Sequence, residues 1–308
     1  MKRFLIQCLS FLLLCLLLMG FILIQADGYT DTFYLKFTSK PQSNLILGTS
    51  KAAQGLRPQI LKEITGTSFF NYAFTEIHSP YGESYFRSIV KKLKKEDESG
   101  VFILTIDPWS ISSSSPAPND STQFRELGLA VDNTQFVNLN PNIPYLIENL
   151  SGEYYTILTQ RNPEFFLHGD GWLEVTLSRD SAEIAQRRRE KLEHHRKNSL
   201  PYYKFSSLRF SYIQKTIQFL REHGSVYLIR MPIHPEMMKL EDEMMPDFEE
   251  KLNSLIPHVD AFMDLAADNA EYGYIDGTHL DVASSERLSK EVGTWIKETH
   301  NEQRRNTP

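Results

Sequence analysis

Asn44-Leu-Ile-Leu-Gly48-Thr49-Ser50 is a short apolar run that stops at a glycine, and Lys51-Ala-Ala-Gln-Gly55 behind it is compatible with a helix. An apolar run of that length bounded by a turn residue reads as a buried strand. Four more runs of the same kind follow, at residues 68–72, 101–106, 225–230 and 259–264. Helical periodicity alternates with them at 81–95, 208–221, 246–255 and 283–299. This alternation predicts an α/β domain around a central, mainly parallel sheet, with its ligand site outside the carboxyl ends of the strands.

The 308 residues are 41% hydrophobic and 23% charged, enough for one full-sized core, which excludes global disorder. Lysine and arginine number 33 against 39 acidic residues, a net charge of −6 that argues against nucleic acid as partner. Both cysteines, Cys8 and Cys15, lie in the first 15 residues. The rest of the chain therefore has no disulfide, thiolate metal site or cysteine nucleophile.

Met1-Lys2-Arg3 precedes 21 uncharged residues, Phe4 to Ile24, broken only by Gln7, Ser10 and Gly20. As a helix that run would be about 31 Å long, enough to cross a bilayer core. A cleaved signal peptide competes with a retained anchor, but cleavage after Ala26 would put Ile24 where a small residue is wanted. We therefore expect residues 1–25 to be a signal anchor, with Lys2 and Arg3 holding the N-terminus in the cytoplasm. A linker at 26–43, an α/β domain over 44–300 and a disordered tail at 301–308 complete the layout. Everything after Gln25 then lies on the extracytoplasmic side, periplasmic or at the cell surface.

More than a hundred residues separate the third apolar run from the fourth, too many for a simple crossover, so an insertion is expected over about 108–204. It opens on Ser112-Ser-Ser-Ser-Ser-Pro-Ala-Pro118 and includes a charged helical stretch at 181–197 with Arg187-Arg-Arg189 and His194-His195. Interleaved Glu183, Glu190 and Glu193 read as a solvated helix face. His168-Gly-Asp170-Gly-Trp172 lacks a second ligand pair at metal-site spacing, so no metal and no dissociable cofactor are expected.

A serine at the strand-to-helix junction is by default a cap residue. The far end of the chain changes its meaning. Asp276-Gly277-Thr278-His279-Leu280 follows the last apolar run and precedes the last helix, where an α/β sheet places functional loops. A histidine that takes a serine proton needs a carboxylate to fix its tautomer and support its imidazolium. Asp276 and His279, three apart on a glycine-containing turn, supply that pair.

Gly48-Thr49-Ser50 with the following Ala-Ala-Gln-Gly-Leu-Arg-Pro, taken with Asp276-Gly-Thr-His279-Leu, resembles the SGNH (GDSL-like) hydrolase superfamily. The resemblance implies a flavodoxin-like three-layer α/β/α sandwich, with Ser50 as nucleophile, His279 as general base and Asp276 as its orienting acid. Membrane-anchored relatives add or remove acyl groups on cell-surface glycans, so the resemblance also implies an esterase or O-acyltransferase. Its partners would be a surface polysaccharide or other acylated glycan and, for a docking role, a membrane acyltransferase. The family's middle motifs are degenerate here: Asn71 stands without its glycine, and Asp107 stands where an Asn-Asp pair is usual. A catalytically silent glycan-binding or docking subunit is therefore the alternative reading. Asn71 and Asp107 are carried as candidate oxyanion groups, Arg230 and His234 as candidate substrate ligands, and Trp109 and Trp172 as sugar platforms.

Overall fold

The structure is a computed structural model that describes residues 1–95, 99–150, 152–159, 164–266 and 268–306, with side chains described through residue 302. The chain begins as α1 (Lys2–Ile24), exposed along nearly its whole length until Leu23 in its last turn is buried. A short 3-10 turn at Tyr34–Phe37 leads to β1 (Leu45–Leu47), which passes at once into α2 (Ser50–Gly55) and then α3 (Pro58–Thr65). Next come β2 (Phe70–Asn71), α4 (Glu83–Lys92) and β3 (Gly100–Thr105). The long excursion after β3 holds β4 (Ser112–Ser113), α5 (Ala130–Asn133), α6 (Ile143–Glu148) and α7 (Thr156–Thr159). It continues through β5 (Phe165–Leu167), β6 (Leu173–Val175), α8 (Ser181–Asn198) and β7 (Lys204–Phe205). The chain then completes its core with α9 (Ser207–Arg221), β8 (Gly224–Arg230), α10 (Pro235–Met244), α11 (Phe248–Leu255), β9 (Ala261–Asp264) and α12 (Val282–Asn306).

The five apolar runs are the five strands of one parallel sheet, in the order β2-β1-β3-β8-β9. Counting only these strands the order is 2-1-3-4-5, the flavodoxin-like doubly wound arrangement, whose switch point falls between β1 and β3. Side chains alternate between two cores because strand periodicity is two. Leu45, Leu47, Phe102, Leu104, Val226 and Leu228 face α4, α9 and α11, whereas Ile46, Ile103, Tyr227 and Ile229 face α2, α3 and α12. A layer of helices on each face makes the α/β/α sandwich.

The excursion is pinned where it leaves and returns. β4 pairs antiparallel with β7, Ser112 opposite Phe205 and Ser113 opposite Lys204. A buried bidentate pair, Glu126 with Arg209 of α9 at 2.8 and 2.9 Å, ties it to the sandwich. The β5–β6 hairpin docks against β2 through Asn71 N–H to Asp170 O at 2.8 Å. At the C-terminus α12 stays helical to Asn306, past residue 300 where a disordered tail was expected. Helical periodicity to Thr299 gave no sign of that extension.

Candidate active site

The junction after β1 turns sharply. Gly48 has φ +143°, and a Cβ there would stand 1.9 Å from Thr105 Oγ1 on the neighbouring strand, so only glycine fits. Its carbonyl accepts from Ser79 Oγ at 2.7 Å and its N–H donates to Tyr85 Oη at 3.1 Å, which fixes the turn from two sides. Ser50 is the first residue of α2, where backbone N–H groups have no acceptor within the helix.

The loop after β9 closes on this serine. His279 Nε2 stands 2.8 Å from Ser50 Oγ, and His279 Nδ1 stands 2.8 Å from Asp276 Oδ2. The other oxygen of Asp276 accepts from the backbone N–H groups of Thr278 and His279, both at 2.9 Å, which orients the carboxylate rigidly. Gly277, with φ +87°, permits the tight turn. An ionised Asp276 can only accept, so Nδ1 carries the proton and the Nε2 lone pair faces the hydroxyl. Burial raises the Asp276 pKa, but His279 and Lys191 outweigh it and hold the carboxyl far below the ordinary range. For His279, burial and then the Lys191 ammonium depress the imidazole, against the opposing pull of Asp276. That depression favours the neutral ring, the form a general base needs.

Lys191 comes from α8, whose basic tract was expected to be a solvated face. One side of the helix does face solvent, including Arg189, Glu190 and Glu193. The other side lies on the strand-end loops. Lys191 Nζ donates to Asp276 Oδ2 at 2.7 Å, Arg187 Nε to Ile275 O at 2.9 Å, and Arg188 pairs with Glu236 at 2.8 Å. His195, two turns on from Arg188, is buried against Trp109 with ring centroids 5.0 Å apart. Burial, followed by nearby positive charge, pushes its pKa down to about 4. A period near 3.6 through Ile184, Arg187, Arg188, Lys191 and His195 was the available signal for this inner face.

The remaining sequence candidates divide. Asp107 and Trp109 line the same cleft as Ser50 and His279. Asp107 is not a bare carboxylate facing an oxyanion: it lies 3.2 Å from Lys51 Nζ, which also donates to Glu241 at 2.6 Å, all three side chains being buried. Burial works against the Lys51 ammonium, but Asp107 and Glu241 override it and raise its pKa. Glu241 is raised by burial, with Lys51 opposing. Asn71 does not reach the cleft. Its amide donates to Ala52 O and Leu56 O at 2.9 Å each, and its carbonyl oxygen accepts from Ala73 N–H, so it buckles α2 to β2. Arg230, itself buried, pairs with the more exposed Glu249 and Asp264, and His234 caps α10 beside Arg188; neither lines the cleft. Trp172 packs behind α2, with Nε1 donating to Gln54 O at 2.9 Å and Arg57 over its face, so it is not a platform for sugar.

The cleft has a volume of about 260 Å³. Among the described residues, three buried polar atoms on its lining have no partner: Gln54 Oε1, Thr278 Oγ1 and His195 Nδ1. All three atoms lie on the lining that Ser50 and His279 share. Glu76 is a further carboxyl on that lining, its pKa raised by burial against the pull of Lys191.

No protein-family model matches this chain, and no curated protein matches it. Among solved structures, it is similar to a carbohydrate acetylesterase family member from Sinorhizobium meliloti, with 9% identity over 84% of this chain and 99% of that one and a TM-score of 0.38. A likeness at that level carries no weight for activity, which only this chain's own side chains can.

Proposed function

We propose that the chain is a membrane-anchored, extracytoplasmic serine esterase or O-acyltransferase of SGNH type that acts on acyl groups of cell-surface polysaccharide. One observation carries this reading: the unbroken relay Ser50 Oγ, His279 Nε2, His279 Nδ1, Asp276 Oδ2, with 2.8 Å at each hydrogen bond. Ser50 Oγ attacks the ester carbonyl while His279 Nε2 takes its proton, and Asp276 supports the imidazolium. The intermediate collapses with the proton passing to the leaving alcohol, which leaves an acyl-serine. Water or a sugar hydroxyl, deprotonated by the same imidazole, then attacks that ester and frees Ser50. The Ser50 backbone N–H, at the start of α2, donates to the oxyanion. A cleft of about 260 Å³ lies just under the roughly 300–1,000 Å³ of common small-molecule sites, which suits a short acyl group. The unpaired Gln54, Thr278 and His195 atoms suit hydroxyl-rich substrate.

Retention of α1 is supported by Leu23, which is buried with Tyr145, Leu146 and Ile157 and would be lost from that cluster by cleavage beyond it. The second reading, a catalytically silent glycan-binding or docking subunit, is favoured by the commitment of Asn71 and Asp107 to structural partners, which leaves neither of them to stabilise an oxyanion. A fluorophosphonate probe on the full chain in detergent separates the two. The enzyme reading expects labelling that disappears in Ser50→Ala and His279→Ala while their thermal midpoints stay near the parent's. An unlabelled, well-folded parent with background ester turnover would leave the docking subunit standing instead.

A further inference from the structure

Beyond residue 24, the described residues leave eight large apolar side chains exposed, and all except Tyr202 fall between Leu127 and Leu158. Scattered apolar exposure is ordinary, but confinement to a single stretch of about thirty residues is not. Ile143 and Ile147, 42% and 64% exposed, lie one turn apart on α6 and share its outer face. Tyr155 and Leu158, 57% and 47% exposed, belong to the turn that holds α7.

The inner faces of these helices say where they stand. Tyr145 and Leu146 of α6 and Ile157 of α7 are buried in one cluster with Leu23, the last inward residue of α1, and Ile22 packs on that cluster. α7 also touches α1 directly. α7 thus flanks the point where the apolar helix joins the folded domain, and α6 packs on the Tyr34–Phe37 turn that follows it, Tyr145 against Tyr34. Residues 127–159 contain Asp132, Glu148 and Glu153 but no lysine, arginine or histidine.

We infer that the outer faces of α6 and α7 are a second membrane contact, inserted into the boundary between headgroups and acyl chains beside α1, so that the domain lies against the bilayer. The occupant is lipid because α7 touches the one helix in the described chain that is long and apolar enough to span a membrane. Lacking basic residues, the contact works by apolar burial and is indifferent to anionic lipid. It gives the extracytoplasmic domain a fixed orientation over the surface. The inference rests on α1 being a retained anchor.

The test uses the full chain with Cys8→Ser and Cys15→Ser, reconstituted in phosphatidylcholine nanodiscs, with single reporters Ile147→Cys and Leu158→Cys and the control Tyr202→Cys, each carrying an environment-sensitive fluorophore. The expected result is blue-shifted emission at 147 and 158 and several-fold stronger quenching there than at 202 by nitroxide-bearing lipid, unchanged when phosphatidylglycerol is added. Emission at 147 and 158 as water-exposed as at 202 overturns the inference. So does a blue shift that lipid nitroxide does not quench, since protein would then cover the patch. Resistance of the same sample to alkaline extraction tests the anchor separately, so loss of the anchor and loss of the second contact are read independently.

Discussion

Lys191 is the residue whose role departs furthest from its surroundings in sequence. It donates to Asp276 at 2.7 Å and stands 3.4 Å from His279 Nδ1, so it shares the carboxylate with the imidazole and adds positive charge beside the ring. The first effect steadies Asp276, and the second opposes protonation of His279. Burial comes first among the forces that depress the His279 pKa, and Lys191 second. For a base that works neutral, the acid limb of kcat/KM follows that pKa. In Lys191→Met the ring loses a repelling charge and protonates more readily, so the acid limb moves to higher pH. Ester turnover with a soluble acyl ester, followed from pH 4 to 9, reads it. A limb that stays where the parent has it, alongside reduced turnover, would leave Lys191 a purely structural tether for α8.

Three elements meet at the Lys51, Asp107 and Glu241 cluster: α2 just behind the nucleophile, the end of β3, and α10. Lys51→Met leaves two buried carboxylates, Asp107 and Glu241, without their cation, which costs about 3–5 kcal/mol for a buried pair broken from one side. Chemical denaturation of the full chain in detergent should show that loss, and Lys51→Met combined with Glu241→Gln should recover part of it. Equal midpoints for parent and Lys51→Met would mean that the cluster does not hold α2 and α10 together. This cluster also marks the border of what the sequence could tell. The five sheet strands were legible because each carries a short apolar run: β1, β2 and β3 are buried on both faces, β8 is buried from Val226 onward, and only the edge strand β9 is half-buried. Ser50, Asp276 and His279 stood out because strand ends and glycine turns place them without help from elsewhere. Lys51, Lys191 and Glu241 were not legible, since their partners lie 190 or 85 residues away and nothing in local periodicity joins them. Asn71 misled for the same reason: a buried amide that serves two carbonyls of α2 has the same sequence signature as one that serves a substrate.

Across the whole molecule, two buried lysines join parts that are distant in the chain. Lys36, in the turn before β1, donates to Asn71 O and Ala73 O at 3.1 and 2.6 Å, and Lys92 of α4 donates to Ser39 O and Val137 O at 2.6 and 2.7 Å. They fasten the linker to the sheet edge and the long excursion to the sandwich by hydrogen bonds to carbonyls, with Lys36 also over the Phe74 ring and Lys92 over those of Phe70 and Tyr72. A neutral amine can still make both hydrogen bonds. Burial is the main cause that pushes both pKa values down to about 7. In the unfolded chain a lysine titrates near 10.4. Below pH 7 both states hold the proton and the native state bears the full penalty of burying it. Between about pH 7 and 10 the unfolded state keeps a proton that the native state has released, so stability rises with pH, by at most about 1.4 kcal/mol per pH unit for each lysine. Stability of the full chain in detergent should therefore climb from pH 7 to 9. Lys36→Met and Lys92→Met will each be less stable through the loss of two donors, yet each should show a flatter climb than the parent, because one of the two released protons is gone. Variants whose stability rises with pH as steeply as the parent's would show that these lysines stay charged in the folded protein and that some other group gives the slope.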